Sequence, residues 1–330
     1  MHTLEIVAGT VKAGLFFGNR QAFYRLVQDL DLMVSDDWDR LELESARRWA
    51  RRMTVPLTAY IYTLILLWLP APLLAGGDQK LLPVVQIEGV DWSLWPGTYA
   101  ALYTLQCAVL LTQVPIVVGL DCFFVAAVLR VGALLQLLGQ RISGLRLSGD
   151  GAVDLAGDVC LKRQQMMYAE LRACVRRHQK ITKLLHDLEA AMSTMVLVQF
   201  SISMFCLCMD LYQQIQGEAM CLTGLQQLLA ERWYHLRVVV VCRVEDVSGG
   251  VRQPLAGFLR GESLSLAAYS SRWVGAGAAF QRALSVVMAR AHKPLLITAG
   301  HLYPVNTTAF VALMKASYSY YTLLRQLDRS

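Results

Sequence analysis

Apolar residues in this chain fall into long blocks separated by basic stretches, with little strict alternation of period two. Residues 54–77, TVPLTAYIYTLILLWLPAPLLAGG, carry neither charge nor histidine. Residues 92–120 are also uncharged, and after Asp121 the run CFFVAAVL continues. Further blocks are AAMSTMVLVQFSISMFCLCM at 190–209 and PLLITAGHLYPVNTTAFVALM at 294–314, which passes Lys315 into the closing stretch. A membrane-crossing helix needs about 20 mostly apolar residues, because the hydrocarbon core is about 30 Å thick. These blocks therefore predict spans. The shorter IVAGTVKAGLFFG at 6–18 reads as the end of another span, too short to cross unaided. The stretch 155–189 differs: apolar residues recur at helical spacing beside a basic face. It predicts a helix extending the block at 190–209 well into the cytosol.

Composition supports a polytopic membrane protein. Of 330 residues, 55% are hydrophobic and 17% charged, against about 45–50% and about 25% in soluble domains. The mean hydropathy is +0.40. The net charge of +6 matters less than its placement. Residues 19–53 hold Arg20, Arg25, Arg40, Arg47, Arg48, Arg51 and Arg52, and 130–187 hold ten Lys and Arg, whereas 78–97 hold only Lys80. Lys and Arg concentrate in cytoplasmic loops, so 19–53 and 130–187 are expected inside and 78–97 outside. Counting spans onward puts the C-terminus outside, opposite to a rhodopsin-like receptor.

Catalytic and metal chemistry find no motif. There is no Gly-x-Ser-x-Gly, His-Glu-x-x-His, P-loop or pair of carboxylates within a span. The eight cysteines include no Cys-x-x-Cys, and the six histidines form no ligand spacing. An enzyme, a metal site, a cofactor and a nucleic-acid partner are not expected. His301, within the last apolar block, reads as a hydrogen-bonded interior histidine, with proton sensing or pore lining as the alternative. Asp121 is a functional candidate by its position in an apolar run, or else a solvated or paired group at the cytosolic end of its span. The sequon NTT at 306–308 is expected to carry no glycan inside an apolar segment. Tyr60, Tyr62, Trp68, Trp92, Trp95, Tyr99 and Tyr103 cluster around two of the spans. They read either as an interfacial belt or as lining of an apolar pocket for a small volatile ligand. Trp68, Tyr99 and Tyr103, in the outer half of the bilayer on this topology, are the ligand-binding candidates.

Several blocks resemble insect odorant receptors. The ending KASYSYYTLLR (315–325) is similar to that family's C-terminal motif. LAAYSSRW (266–273) and HKPLLITAG (292–300), followed by Tyr303-Pro304, keep the family's order. RRHQKI (176–181) leading into LVQFSISMFCLCMDLYQ (197–213) resembles its fifth helix, and LDCFF (120–124) its fourth. The resemblance covers nearly the whole chain and implies an all-α, polytopic membrane helix bundle with inverted topology and an extracellular C-terminus. It implies a tuning subunit of an odorant-gated, non-selective cation channel, working with a shared co-receptor in a heterotetramer at the plasma membrane of olfactory neuron dendrites. It also implies that the last helix lines the pore, with Leu323 resembling a hydrophobic gate and Gln326 a polar ring. Arg325 departs from a purely apolar lining.

On this resemblance the chain divides into a partial second helix (1–18), a third helix (54–77), a fourth (98–140), a cytosolic helix plus fifth helix (155–214), a disrupted sixth-helix region (219–262) and a seventh helix with its pore segment (274–327). The start resembles the middle of the family's second helix, so helix one is expected to be missing. In the sixth-helix region, RVVVVCRVEDVSGGVRQPLAGFLRG intervenes between two family-like blocks, and Glu231, Arg232, Arg237, Arg243, Glu245 and Asp246 interrupt any span. The rival readings are a gustatory-type chemoreceptor, a small-solute transporter and an inactive product. The transporter would want broken, symmetric half-repeats, which the sequence lacks.

Overall fold

The computed structural model describes residues 2–35, 40–70, 82, 96–145, 157–215, 262–271, 273–293, 295–305 and 307–328. The described chain is helical throughout except for one small hairpin. In order, α1 is His2–Gly18, α2 Arg20–Ser35, α3 Arg40–Trp68, α4 Pro96–Ser143, α5 Gly157–Ile215, α6 Glu262–Tyr269 and α7 Ala278–Ala291. The strands β1 (Thr298–Ala299) and β2 (Tyr303–Pro304) precede α8, Thr307–Asp328. Most of the region expected to be a disrupted sixth helix lies outside the described residues, as does the loop 78–95 apart from Leu82.

Helix lengths follow the apolar blocks plus polar extensions. Helix α5, with 59 residues, is about 88 Å long, so one unbroken helix carries both the basic stretch and the apolar block 190–209. Helix α4 holds 48 residues, with Pro115 inside it and most of its second half buried. Among the described residues, α4 and the Gln164–Cys206 portion of α5 are long and apolar enough to cross a membrane. Helix α3 has a basic first half, with Arg47, Arg48, Arg51 and Arg52 exposed. In its second half Leu57, Ile61 and Ile65 recur every four residues, so they share one face, and they pack on Val118 of α4. Helix α2 buries Phe23, Leu26 and Leu30 in the same way. Phe23 sits between Phe16 of α1 and Phe123 of α4, with ring centroids 5.1 and 5.9 Å away.

The stretch read as one last helix is divided. The expected span 294–314 begins with the hairpin, and the helix starts only at Thr307. The cause is local. Pro294 precedes the strands, and both Gly300 (φ 61°) and His301 (φ 57°) take the left-handed conformation, which no α-helix accommodates. The Leu302 N–H donates to the Ala299 carbonyl at 3.1 Å, closing a turn with two positive φ angles in the manner of type I′.

The hairpin is pinned to α5 by polar groups of Glu189 and Ser193. The Gly300 N–H donates to the Ser193 carbonyl at 3.0 Å. The Ser193 hydroxyl donates to the Thr298 carbonyl at 2.8 Å and accepts from the His301 N–H at 3.2 Å. Glu189 Oε1 accepts from the Thr298 N–H at 3.1 Å and from its hydroxyl. Ile297, Ala299 and Val305 are buried beneath these bonds.

A side chain at Gly300 would overlap Leu197 of α5, and the positive φ disfavours any L residue. Gly300→Ala is expected to destabilise the protein by about 1–3 kcal/mol, read as a lowered thermal midpoint in detergent. Gly119→Ala is the control. Its added methyl meets open space and, in a helix, leaves the midpoint unchanged or slightly raised.

Candidate functional site

Tyr99 and Tyr103 are one turn apart near the start of α4, their ring centroids 5.9 Å apart at 41°. The Tyr103 hydroxyl donates to the backbone carbonyl of Leu69, the residue after Trp68. The two tyrosines and the end of α3 thus meet at one end of the α3–α4 pair. Trp68 ends α3, and its side chain lies outside the described residues. The hydrogen bond places the apolar rings at the α3–α4 junction and occupies the Tyr103 O–H proton, leaving its oxygen lone pairs as acceptors.

Helix α8 has two unlike faces. Ser317 is fully buried against α5, its hydroxyl donating to Leu313 O at 3.0 Å and to Met204 O at 3.4 Å. Tyr321, one turn on, is also buried, and its hydroxyl has no hydrogen-bond partner among the described residues. Leu323 is 53% exposed, and Gln326, three residues later on the same side of the helix, is exposed as well. Lys315 and Ser319 continue that exposed strip. The strip crosses from charge through hydroxyl to apolar and amide groups on the outside of the single subunit.

His301 is not an interior histidine. It stands on the hairpin turn, 69% exposed, with Nδ1 3.9 Å from Glu189 Oε1. The turn geometry that breaks the helix also turns this side chain outward.

Asp121 is paired. Lys12 of α1 is 98% buried by its 2% residual exposure, and its Nζ lies 3.3 Å from Asp121 Oδ1 of α4. The same ammonium donates to Gln199 Oε1 of α5 at 2.5 Å, and Gln199 Nε2 donates to the Ser203 hydroxyl at 2.9 Å. Nearby, Gln113 Nε2 of α4 donates to the Thr10 hydroxyl of α1 at 2.6 Å. Three helices therefore share one buried polar knot. Sequence reasoning flagged Asp121, with a paired group as one of its readings. It missed Lys12 as the partner of Asp121 and Gln199 as a further acceptor for that ammonium. Intramembrane charges are expected to be paired, and that rule was the available signal for joining Lys12 to Asp121.

Removing one member of a buried ion pair strands the other. Lys12→Met is therefore expected to cost about 3–5 kcal/mol and to reduce the yield of folded protein at the cell surface. Lys12→Met combined with Asp121→Leu is expected to regain most of it. Size-exclusion profiles and surface labelling of the two variants read the difference, and a double variant no better than the single would disprove the pairing.

Comparison with known proteins agrees with this architecture. The family model for the 7tm odorant receptors matches residues 1–224 and 260–318, which leaves 225–259 between two matched segments. Odorant receptor Or2 of Anopheles gambiae is 26% identical across 99% of this chain and 80% of its own length. Putative odorant receptor 19b of Drosophila melanogaster is 23% identical over 240 residues, 73% of this chain and 57% of its own. The insect olfactory receptor OR5 of Machilis hrabei, solved in complex with eugenol, superposes with a TM-score of 0.77 at 18% identity over 97% of this chain and 78% of its own. That likeness is one of fold, and the matched family is one of receptors and not of enzymes. With its helical bundle, its apolar spans and a family match over most of its length, the chain belongs to the membrane-embedded insect 7tm odorant receptor family.

Proposed function

We propose that the chain is the tuning subunit of an odorant-gated, non-selective cation channel that assembles with a shared co-receptor. The observation that carries the channel reading is the exposed strip of α8 bearing Leu323 and Gln326. A single subunit gains nothing by presenting an amide to lipid, where an unpaired polar group costs several kcal/mol. Copies of α8 around a common axis would turn that strip into the wall of an aqueous path, with Leu323 as an apolar closure and Gln326 as a polar ring. The ligand is a small volatile molecule with a mainly apolar body. Trp68, Tyr99 and Tyr103 form part of its wall, at the outer end of the α3–α4 pair. The solved relative's complex with eugenol supports a ligand of this size and character. The site is the plasma membrane of olfactory neuron dendrites.

Odorant-evoked current is expected only when the chain is expressed with a co-receptor. Gln326→Ala is expected to change the relative permeability of cations several-fold while leaving the order of odorant potency intact. Whole-cell recording over an odorant panel measures both. Full current from the chain alone would refute the partnership, and a reordered panel with unchanged permeation would move Gln326 out of the pore. Silence of this chain beside a responsive receptor under the same conditions would favour the inactive product, to which the charged and unmatched stretch 225–259 points.

The topology follows from the basic stretches before Thr54 and before Ala190, which belong to the cytosol on the positive-inside rule. An epitope placed after Ser330 is expected to stain on intact cells. Staining only after permeabilisation would reverse the orientation.

A further inference from the structure

A cavity lies away from Tyr99, Tyr103 and α8. It runs between α5 and α7, closed by the end of α4 and by α6, with a volume of about 700 Å³. Its floor is aliphatic: Ile142, Leu171 and Leu264 are each at most 2% exposed, and Val286 and Val287 of α7 form the facing wall. Its rim is basic. Arg172, Lys183, His186 and Arg290 are exposed around it, and His178 is half-buried within it. No carboxylate lines it among the described residues. From Leu171 to His186 the groove follows α5 for about 22 Å.

We propose that this groove binds a single-chain anionic amphiphile, specifically a long-chain fatty acid as its carboxylate, taken from the cytosol. The size falls in the range of small-ligand sites, which are mostly apolar with a few polar groups. An aliphatic floor suits an alkyl chain. A guanidinium presents a planar fork matched to a carboxylate, and both arginines are placed to offer one. The groove lies on the N-terminal side of residue 190, outside the apolar block of α5. A two-chain phospholipid would have to withdraw a tail from the bilayer to fill it, whereas a soluble single chain would not. The cytosolic placement rests on the topology proposed above; the site itself does not.

His178 supplies an internal reporter. Burial lowers its pKa from the ordinary histidine value, and the positive charge of Arg290 lowers it further. A carboxylate on Arg290 would cancel part of that second effect while the bound chain adds to the first, so binding should shift the titration of His178.

The test uses the full chain, assembled and purified in detergent stripped of lipid. Carboxyl-labelled oleate is titrated in, with oleyl alcohol as the neutral probe. The expected result is saturable oleate binding, weaker by about tenfold for the alcohol and for Arg290→Gln, as the loss of one charge-assisted hydrogen bond implies. Val286→Trp, which fills the groove from an exposed position and removes no charge, should abolish binding. The titration of the His178 imidazole signal should move when oleate is added. Equal binding of acid and alcohol, binding unchanged in both variants, or binding of anionic phospholipid vesicles but not oleate would each overturn the proposal. So would a cross-linker at Val286→Cys that captures a second copy of the chain in place of oleate. Odorant-evoked current is not part of this readout, so failure here leaves the channel reading untouched.

Discussion

A lysine ammonium in an apolar interior must find partners there, and the arrangement of α1, α4 and α5 follows from that requirement. Lys12 is 2% exposed and meets Asp121 and Gln199 on two other helices. In hydrocarbon such groups have no water to fall back on, so the geometry of the pair sets how α1 docks. Between apolar helices in lipid the hydrophobic effect contributes little, and packing and polar contacts decide which faces meet. The knot therefore contributes register more than raw stability. Two residues before Lys12 on α1, the bond between Gln113 and Thr10 ties α1 to α4 at a second point, so rotation of α1 about its axis would break both.

The hairpin before α8 answers a related problem at the other side of α5. Non-helical backbone at or near the membrane must have its polar groups satisfied by protein. Here Ser193 and Glu189 accept or donate five bonds to the hairpin's N–H, hydroxyl and carbonyl groups. The last helix thus leaves a fixed platform. Its buried Ser317 then leans on α5 as well, and its other face remains exposed.

Much of this was legible in the sequence, for definite reasons. Long uncharged blocks mark α4 and the later part of α5, since few charged residues are tolerated inside a span. The helical spacing in 155–189 is visible because it is a soluble-type amphipathic pattern. The break at 298–304 was not legible, because ITAGHLYP is as apolar as a span and only the left-handed residues Gly300 and His301 reveal it. His301 was misplaced for the same reason. Of the candidate pocket, the closeness of Tyr99 and Tyr103 follows from their four-residue spacing. Contact of Tyr103 with Leu69 does not, since 34 residues of chain separate them. Pairing of Lys12 with Asp121 spans 109 residues, and a single sequence holds no record of such a distance. Leu323 and Gln326 were chosen by resemblance, and their shared exposure on α8 is a fact that only coordinates supply.

The uninterrupted run of α5 has a mechanical meaning. Backbone hydrogen bonds make a helix of 59 residues a stiff rod, stiffer in torsion than any loop joining two shorter helices would be. The hairpin that carries α8 is bolted near the rod's middle, at Glu189 and Ser193, while α7 leans along its lower part. A twist applied at the N-terminal end of α5 therefore reaches the bolt through continuous helix with no intervening joint, and so does one applied from its C-terminal end. The protein has in effect a drive shaft, and the last helix is mounted on it through the hairpin.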